Sequence, residues 1–192
     1  MSKSKPAPSK YSVMTCEGVH PATSVSLLSE WNGPPWMTGS RIDLDVPDPV
    51  LFELNPRYPG KLCPMYESTI VLMSDALIAV LHAAGVSNLE CFPARIRDRT
   101  RSDAIENYKA VNVVGLVDCA DMSKSEYDPP EDDDGIPMMF DSLCIDDAKA
   151  GGALLFRLYE APSAIVVHEL VRNAIEQQIT GMTFYEQGEW SG

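Results

Sequence analysis

Ala164-Ile-Val-Val-His-Glu-Leu-Val-Arg-Asn-Ala-Ile-Glu-Gln-Gln-Ile-Thr-Gly-Met-Thr-Phe-Tyr-Glu186 decides the fold. Ala164 to Val167 has strand composition, Glu169 to Gln178 carries apolar residues at helical spacing, and Met182 to Glu186 returns to a strand pattern. The same order stands earlier in the chain. Thr69 to Met73 is β-rich, Ser74-Asp75 supplies an N-cap and a first-turn acid, and Ala76 to Ala84 continues as a helix up to Gly85. Leu89 to Phe92 and Arg95 to Arg99 follow as strands. With an offset of 93 residues, Leu170 falls on Leu77, Val171 on Ile78, Ile179 on Val86, Met182 on Leu89 and Tyr185 on Phe92. This is a weak internal duplication, because apolar residues match easily. The expected fold is α+β: a mixed or antiparallel sheet with two main helices, in two related strand-helix-strand units.

Outward from these units, Tyr108 to Asp118 is the strongest strand, rich in Val, Leu and Tyr, and is placed centrally. Tyr11 to Cys16 reads as a first strand and Val25 to Ser29 as a helical turn or strand end. Arg41 to Val46 alternates apolar and polar residues with the period of a half-buried strand. Pro47, Pro49, Pro56 and Pro59 keep the next stretch extended or turning. Met138 to Ile145 and Leu154 to Tyr159 read as strands, with Gly151-Gly152 as a turn between them. At 192 residues the chain suits a single domain over residues 10–192, behind a flexible Ser-, Pro- and Lys-rich tail at 1–9. A finer division into lobes 10–103 and 104–192 stays open.

Fifteen Lys and Arg against 28 Asp and Glu give a net charge of −13, which repels nucleic-acid backbones and anionic membranes. Neither is an expected partner. No apolar run is long enough for a membrane span, and the N-terminus has no secretory pattern. Five cysteines without a CxxC pair fit reduced thiols, so a cytoplasmic location is expected. The oligomeric state is not set by anything in the sequence.

The acidity is local. Residues 118–147 hold eleven acids against the single base Lys124, a net −10 of the −13. Such a cluster repels itself, so it sits best on a solvated surface, where it either serves solubility or steers a basic partner. Asp128, Glu131, Asp132, Asp133 and Asp134 are its centre. Trp31 and Trp36, on the Pro-rich turn Trp31-Asn-Gly-Pro-Pro-Trp36, are either core residues or interface anchors, and they are the better interface candidates among the tryptophans. Arg95, Arg97, Arg99 and Arg101 alternate, which puts four guanidinium groups on one side. They either pair with the acidic region or bind an anion.

Motifs for catalysis are missing. His168-Glu-Leu-Val-Arg172 begins like a zinc-protease helix but has Arg172 where the second histidine belongs. No GxSxG elbow, P-loop or GxGxxG occurs, His82 reads as a helix-face residue, and His20 stands beside Pro21. A calcium-loop template centred on Gly135 fits Asp132, Asp134 and Asp141 but puts Pro130 at the first ligand position. No metal, cofactor or catalytic residue is expected. The competing readings are a small enzyme with a site assembled from distant residues and a self-associating regulatory module.

Tyr108-Lys-Ala-Val-Asn-Val-Val114, Val117-Asp118, Lys124-Ser-Glu-Tyr127, Leu155-Phe-Arg-Leu158, Ile165-Val-Val167 and Thr180-Gly-Met-Thr-Phe184 together resemble immunity protein family eleven of bacterial polymorphic toxin systems, formerly a domain of unknown function. The specific part of the resemblance runs from Tyr108 onward. It departs at His168, where a small hydroxyl residue is expected, and at the acidic run Pro129 to Asp134. The resemblance implies an inhibitor that stays in the producing cell and neutralises a cognate toxin, often a nuclease with a basic cleft, by binding it without catalysis.

Overall fold

The computed structural model describes residues 8–16, 24–60, 62–128 and 139–192. In chain order these begin with β1 (Tyr11–Cys16), β2 (Val25–Leu27), β3 (Val50–Leu54), β4 (Met65–Tyr66), β5 (Val71–Ser74) and α1 (Asp75–Ala83). Next come β6 (Leu89–Arg97), β7 (Ile105–Val113), β8 (Leu116–Val117), β9 (Glu126–Asp128) and β10 (Met139–Ser142). The chain continues with α2 (Asp147–Ala150), β11 (Leu155–Leu158), β12 (Ile165–His168), α3 (Glu169–Gln178) and β13 (Met182–Tyr185). Six strands form one sheet in the order β2-β3-β6-β7-β5-β4, five form another in the order β13-β1-β12-β11-β8, and β9 pairs with β10. The α+β class expected from the sequence holds, and both large sheets are mixed: β3 runs parallel to β6, and β8 to β11.

The two strand-helix-strand units share more than composition. In the first, β7 lies antiparallel between β5 and β6, which therefore run parallel to each other. In the second, β1 lies antiparallel between β12 and β13 in the same way. An outer antiparallel strand flanks each unit, β4 beside β5 and β11 beside β12. The strand inserted into one unit directly follows it in sequence, whereas the strand inserted into the other comes from the opposite end of the chain. The register offset is 94 residues for caps and helices, since Ser74 matches His168 and the fully buried Leu77 and Leu81 match Val171 and Ile175. It is 93 for the following strand, where Leu89 and Met182 both come first.

Helices α1 and α3 form because each has a capped start and an apolar stripe to bury. Ser74 accepts a hydrogen bond from the Leu77 amide, and the His168 side chain accepts one from the Leu170 amide. Leu77, Leu81, Val171 and Ile175 enter one core with Val71, Val111, Val113, Ile165 and Val167 from both sheets. Full burial of each such aliphatic side chain contributes about 1.5–3 kcal/mol. The shared core holds the two units together.

Four local expectations change. Arg41 to Val46 is no strand. The Ile42 amide donates to the Glu90 carboxylate, and Val50–Leu54 occupies the place beside β6. Alternation creates a strand only where a neighbour offers a free edge. Leu89 to Arg99 is not two strands, because β6 runs unbroken through Pro93 as far as Arg97. Tyr108 to Asp118 is split: Gly115 takes φ of +108°, which sends Leu116–Val117 into the other sheet, while β7 keeps the expected central place. Between β10 and β11 the short helix α2, capped by Asp146, precedes the Gly151-Gly152 turn. The tail expected over residues 1–9 falls mostly outside the described residues, but Ser9 hydrogen-bonds Asp147.

Candidate functional site

The acidic segment folds over a second core. Cys119, Ala120, Phe140, Leu143, Ile145 and Ala150 pack with Tyr11, Val13, Phe156, Val166 and Trp190 on the face of the five-stranded sheet away from α3. Tyr127 and Phe140 face each other across the β9–β10 pair with ring centroids 5.9 Å apart, which anchors the hairpin to that core. Strand alternation then turns Glu126, Asp128, Met139 and Asp141 outward, and all four are exposed. Met139 is 69% exposed, an apolar centre among carboxylates.

Other acids of the segment work inside the fold. Asp121 pairs with Lys124 at 2.5 Å and accepts from the Ser123 hydroxyl and amide, which hold its carboxyl below the usual range. Asp146 caps α2, and Asp147 accepts from the Lys10 amide. Asp118 lies 3.5 Å from Lys149 and beside Glu160, whose carboxyl is pushed up chiefly by burial. Asp128 and Asp141 have no ion pair among the described residues and give the hairpin its outward charge. Glu131, Asp132, Asp133 and Asp134, singled out in the sequence, lie outside the described residues.

The two tryptophans separate. Trp36 is 1% exposed and belongs to the core of the six-stranded sheet, edge-on to Trp31 and Phe92. A side chain so enclosed has no surface to offer a partner, which corrects the interface reading for Trp36. Trp31 is half-buried, and its indole N–H donates to the Pro34 carbonyl at 2.9 Å. Trp31 lies in the neighbourhood of the six-stranded sheet, whereas Asp128 stands on the hairpin that covers the other sheet, so the fold does not bring Trp31 and Asp128 into one cluster.

The arginine stripe pairs locally. Arg95 meets Glu106 at 2.7 Å, and Arg97 and Arg99 meet Glu53 at 3.6 and 2.8 Å. Pairing with the acidic segment is therefore not what these three do, because Glu53 on neighbouring β3 and Glu106 on β7 are closer by sheet register.

His82 is exposed on α1, and His168 spends Nδ1 on the helix cap. Neither lines the clefts beside Arg157, Arg99 or Lys124. Among the described residues no three His, Cys, Asp or Glu side chains cluster as metal ligands, and no helix is long and apolar enough to cross a membrane. Sequence reasoning missed Met139 as an exposed residue and Arg157 as a buried one. The signal for Arg157 was a lone cation inside the apolar strand Leu155-Phe-Arg-Leu158.

No curated protein matches the chain. Residues 17–189 match the family model described as Immunity protein family (Imm11).

Proposed function

The chain belongs to the Imm11 immunity protein family, and we propose that it protects its producer by binding a cognate toxin directly, with the outward face of the β9–β10 hairpin as the docking surface. The carrying observation is the hairpin itself: Tyr127 and Phe140 fix it to the core while Asp128, Met139 and Asp141 face solvent. Carboxylates around an exposed methionine supply long-range steering and a short-range apolar contact. The acidic run at Glu131 to Asp134 stands between these two strands in sequence and adds to the same field. A partner that complements this face is basic, as a nuclease domain is in its substrate cleft. Trp31, half-exposed on its turn, is a secondary contact. Binding of this kind takes place in the cytoplasm of the producing cell and requires no catalysis or cofactor.

The experiment measures association of the purified chain with the toxin domain encoded beside it, by stopped flow at several salt concentrations. The variant Asp128→Asn, Asp132→Asn, Asp133→Asn, Asp134→Asn, Asp141→Asn is expected to associate about ten-fold more slowly, with a flatter salt dependence. An unchanged on-rate removes the hairpin as the docking surface. Failure of the unaltered chain to bind the toxin or protect cells from it overturns the toxin-neutralising reading as a whole.

A further inference from the structure

Half of one face of the six-stranded sheet is left open, and the exposed arginines stand on it. Strands β3 and β6 turn Phe52, Ala94 and Ile96 into the core of that sheet, so alternation turns Leu51, Arg95 and Arg97 to the opposite face. Helix α1 packs on this opposite face over Val71, Val111 and Val113, on the side of β5 and β7. Beyond it Leu51 and Arg95 are register partners, and both are exposed. There Leu28, Leu51, Arg97, Arg99 and Arg101 line a cleft of about 590 Å³. Leu28 is 47% exposed and Leu51 39%, so the cleft joins apolar surface to guanidinium groups.

Four arginines line this cleft with two acids, Asp98 and Asp103. Asp98 is buried and spends its carboxylate on Thr100 and Gly60, which leaves Asp103 as the exposed acid of the lining. Just outside, Glu53 is shared by Arg97 and Arg99, and Glu106 pairs with Arg95. Arg101 forms no ion pair with a described residue. With all four acids counted the patch is neutral, so the remainder of the chain carries the whole −13. The outward hairpin face is its complement. Glu126, Asp128 and Asp141 stand exposed around Met139, and carboxylates match guanidinium groups as methionine matches Leu28 and Leu51. Within one chain the two faces belong to different sheets and do not meet.

We propose that this cleft is the docking site for a second copy of the chain, which seats the outward face of its β9–β10 hairpin there, with Asp128 and Asp141 on Arg97, Arg99 and Arg101 and with Met139 on Leu28 and Leu51. The internal pairs of these arginines are exposed and weak, so a second carboxylate shares their guanidinium groups. Two acidic copies repel at long range, but at physiological ionic strength that repulsion fades over about 8 Å, while charges in contact act within about 4 Å. Cleft and hairpin are different surfaces, so the contact is head-to-tail and grows into short chains or closes into a ring. A hairpin in a cleft of this size makes a small interface, and the association is weak. A toxin bound at the same hairpin displaces the second copy. The self-contact itself needs no toxin, so its failure leaves toxin binding untouched.

The probe is the purified full chain itself, followed by sedimentation velocity at physiological salt over a roughly hundred-fold range of concentration up to the millimolar range. Its weight-average mass is expected to rise with concentration and to show no plateau at two chains. Arg97→Glu with Arg99→Glu and Arg101→Glu, and separately Asp128→Lys with Asp141→Lys, are each expected to weaken association about ten-fold or more. The hairpin variant is the sharper of the two, since it lowers the net negative charge and would associate more if overall repulsion alone decided the matter. Mixing the two variants is expected to restore association, because each then meets a face that complements it. Should the triple arginine variant fail to fold, Arg101→Glu alone, which breaks no ion pair with a described residue, is expected to weaken association about three-fold in a folded protein. A mass that stays at one chain throughout, a plateau at two chains, folded variants that associate like the unaltered chain, or a mixture that restores nothing overturns the proposal.

Discussion

Ser74 and His168 hold the same position in the two halves of the molecule. Each ends a strand, each caps the helix that follows, and each lies opposite a tyrosine on the inserted central strand, Tyr108 for Ser74 and Tyr11 for His168. A hydroxyl does this in one half and an imidazole in the other. The requirement is an acceptor within reach of the first-turn amides, and Nδ1 of His168 meets it at 3.2 Å.

Removing either cap therefore has a measurable cost. Ser74→Ala and His168→Ala are each expected to lower stability by about 1 kcal/mol, read from urea midpoints, whereas His168→Ser retains most of it. Equal stability of His168→Ala and the unaltered chain would show that the cap contributes nothing.

The matched buried positions predict matched sensitivities. Leu81→Ala and Ile175→Ala are each expected to destabilise by about 2–5 kcal/mol, because both empty space in the shared core. Leu170→Ser, at a position 61% exposed, is expected to stay within about 0.5 kcal/mol. Because α1 packs on α3, a double-mutant cycle on Leu81 and Ile175 is expected to depart from additivity.

Acid sensitivity should be traceable to Asp98. Its carboxyl accepts from the Thr100 amide and hydroxyl and from the Gly60 amide, bonds that hold its pKa below the usual carboxylate value. A pKa lowered by folding stabilises the protein above the unfolded value of about 3.9, and that stabilisation disappears as pH falls through the folded value. Asp98→Asn is expected to reduce stability at neutral pH and to flatten the fall in urea midpoint between pH 5 and about pH 2. A variant with an unchanged acid limb would assign that limb to other carboxylates.

Thiol labelling should single out one cysteine. Cys16, Cys63, Cys119 and Cys144 are buried, and Cys91 is exposed. Burial pushes Cys119 up to about 12, with Glu160 and Asp118 adding to the shift. Desolvation by the groups around it raises the Cys91 thiol above its ordinary value although the residue reaches solvent, so its labelling by a maleimide is expected to be slow at pH 7 and to accelerate with pH. Cys91→Ser removes the one phase that precedes unfolding, and the other four thiols react only on unfolding.

Local chemistry was enough to read Ser74, Gly85 and the span Glu169 to Gln178 from the sequence, because caps, positive-φ turns and helical spacing are written within a few residues of each other. The confinement of the negative charge to residues 118–147 was equally plain. Tertiary structure decided everything that depended on a distant neighbour. It denied Arg41–Val46 a strand partner, carried Leu116–Val117 past Gly115 into the second sheet, and enclosed Trp36 while leaving Trp31 half-open. It also brought β1 from the start of the chain into the last strand-helix-strand unit, a pairing between residues separated by more than 150 positions. Arg157 shows the same division: its place in an apolar strand was visible, but its burial and its unpartnered Nε and Nη2 arise only when β11 is enclosed by elements far away in sequence. Propensity acts over one or two turns of chain, while burial and pairing are properties of what the chain folds against.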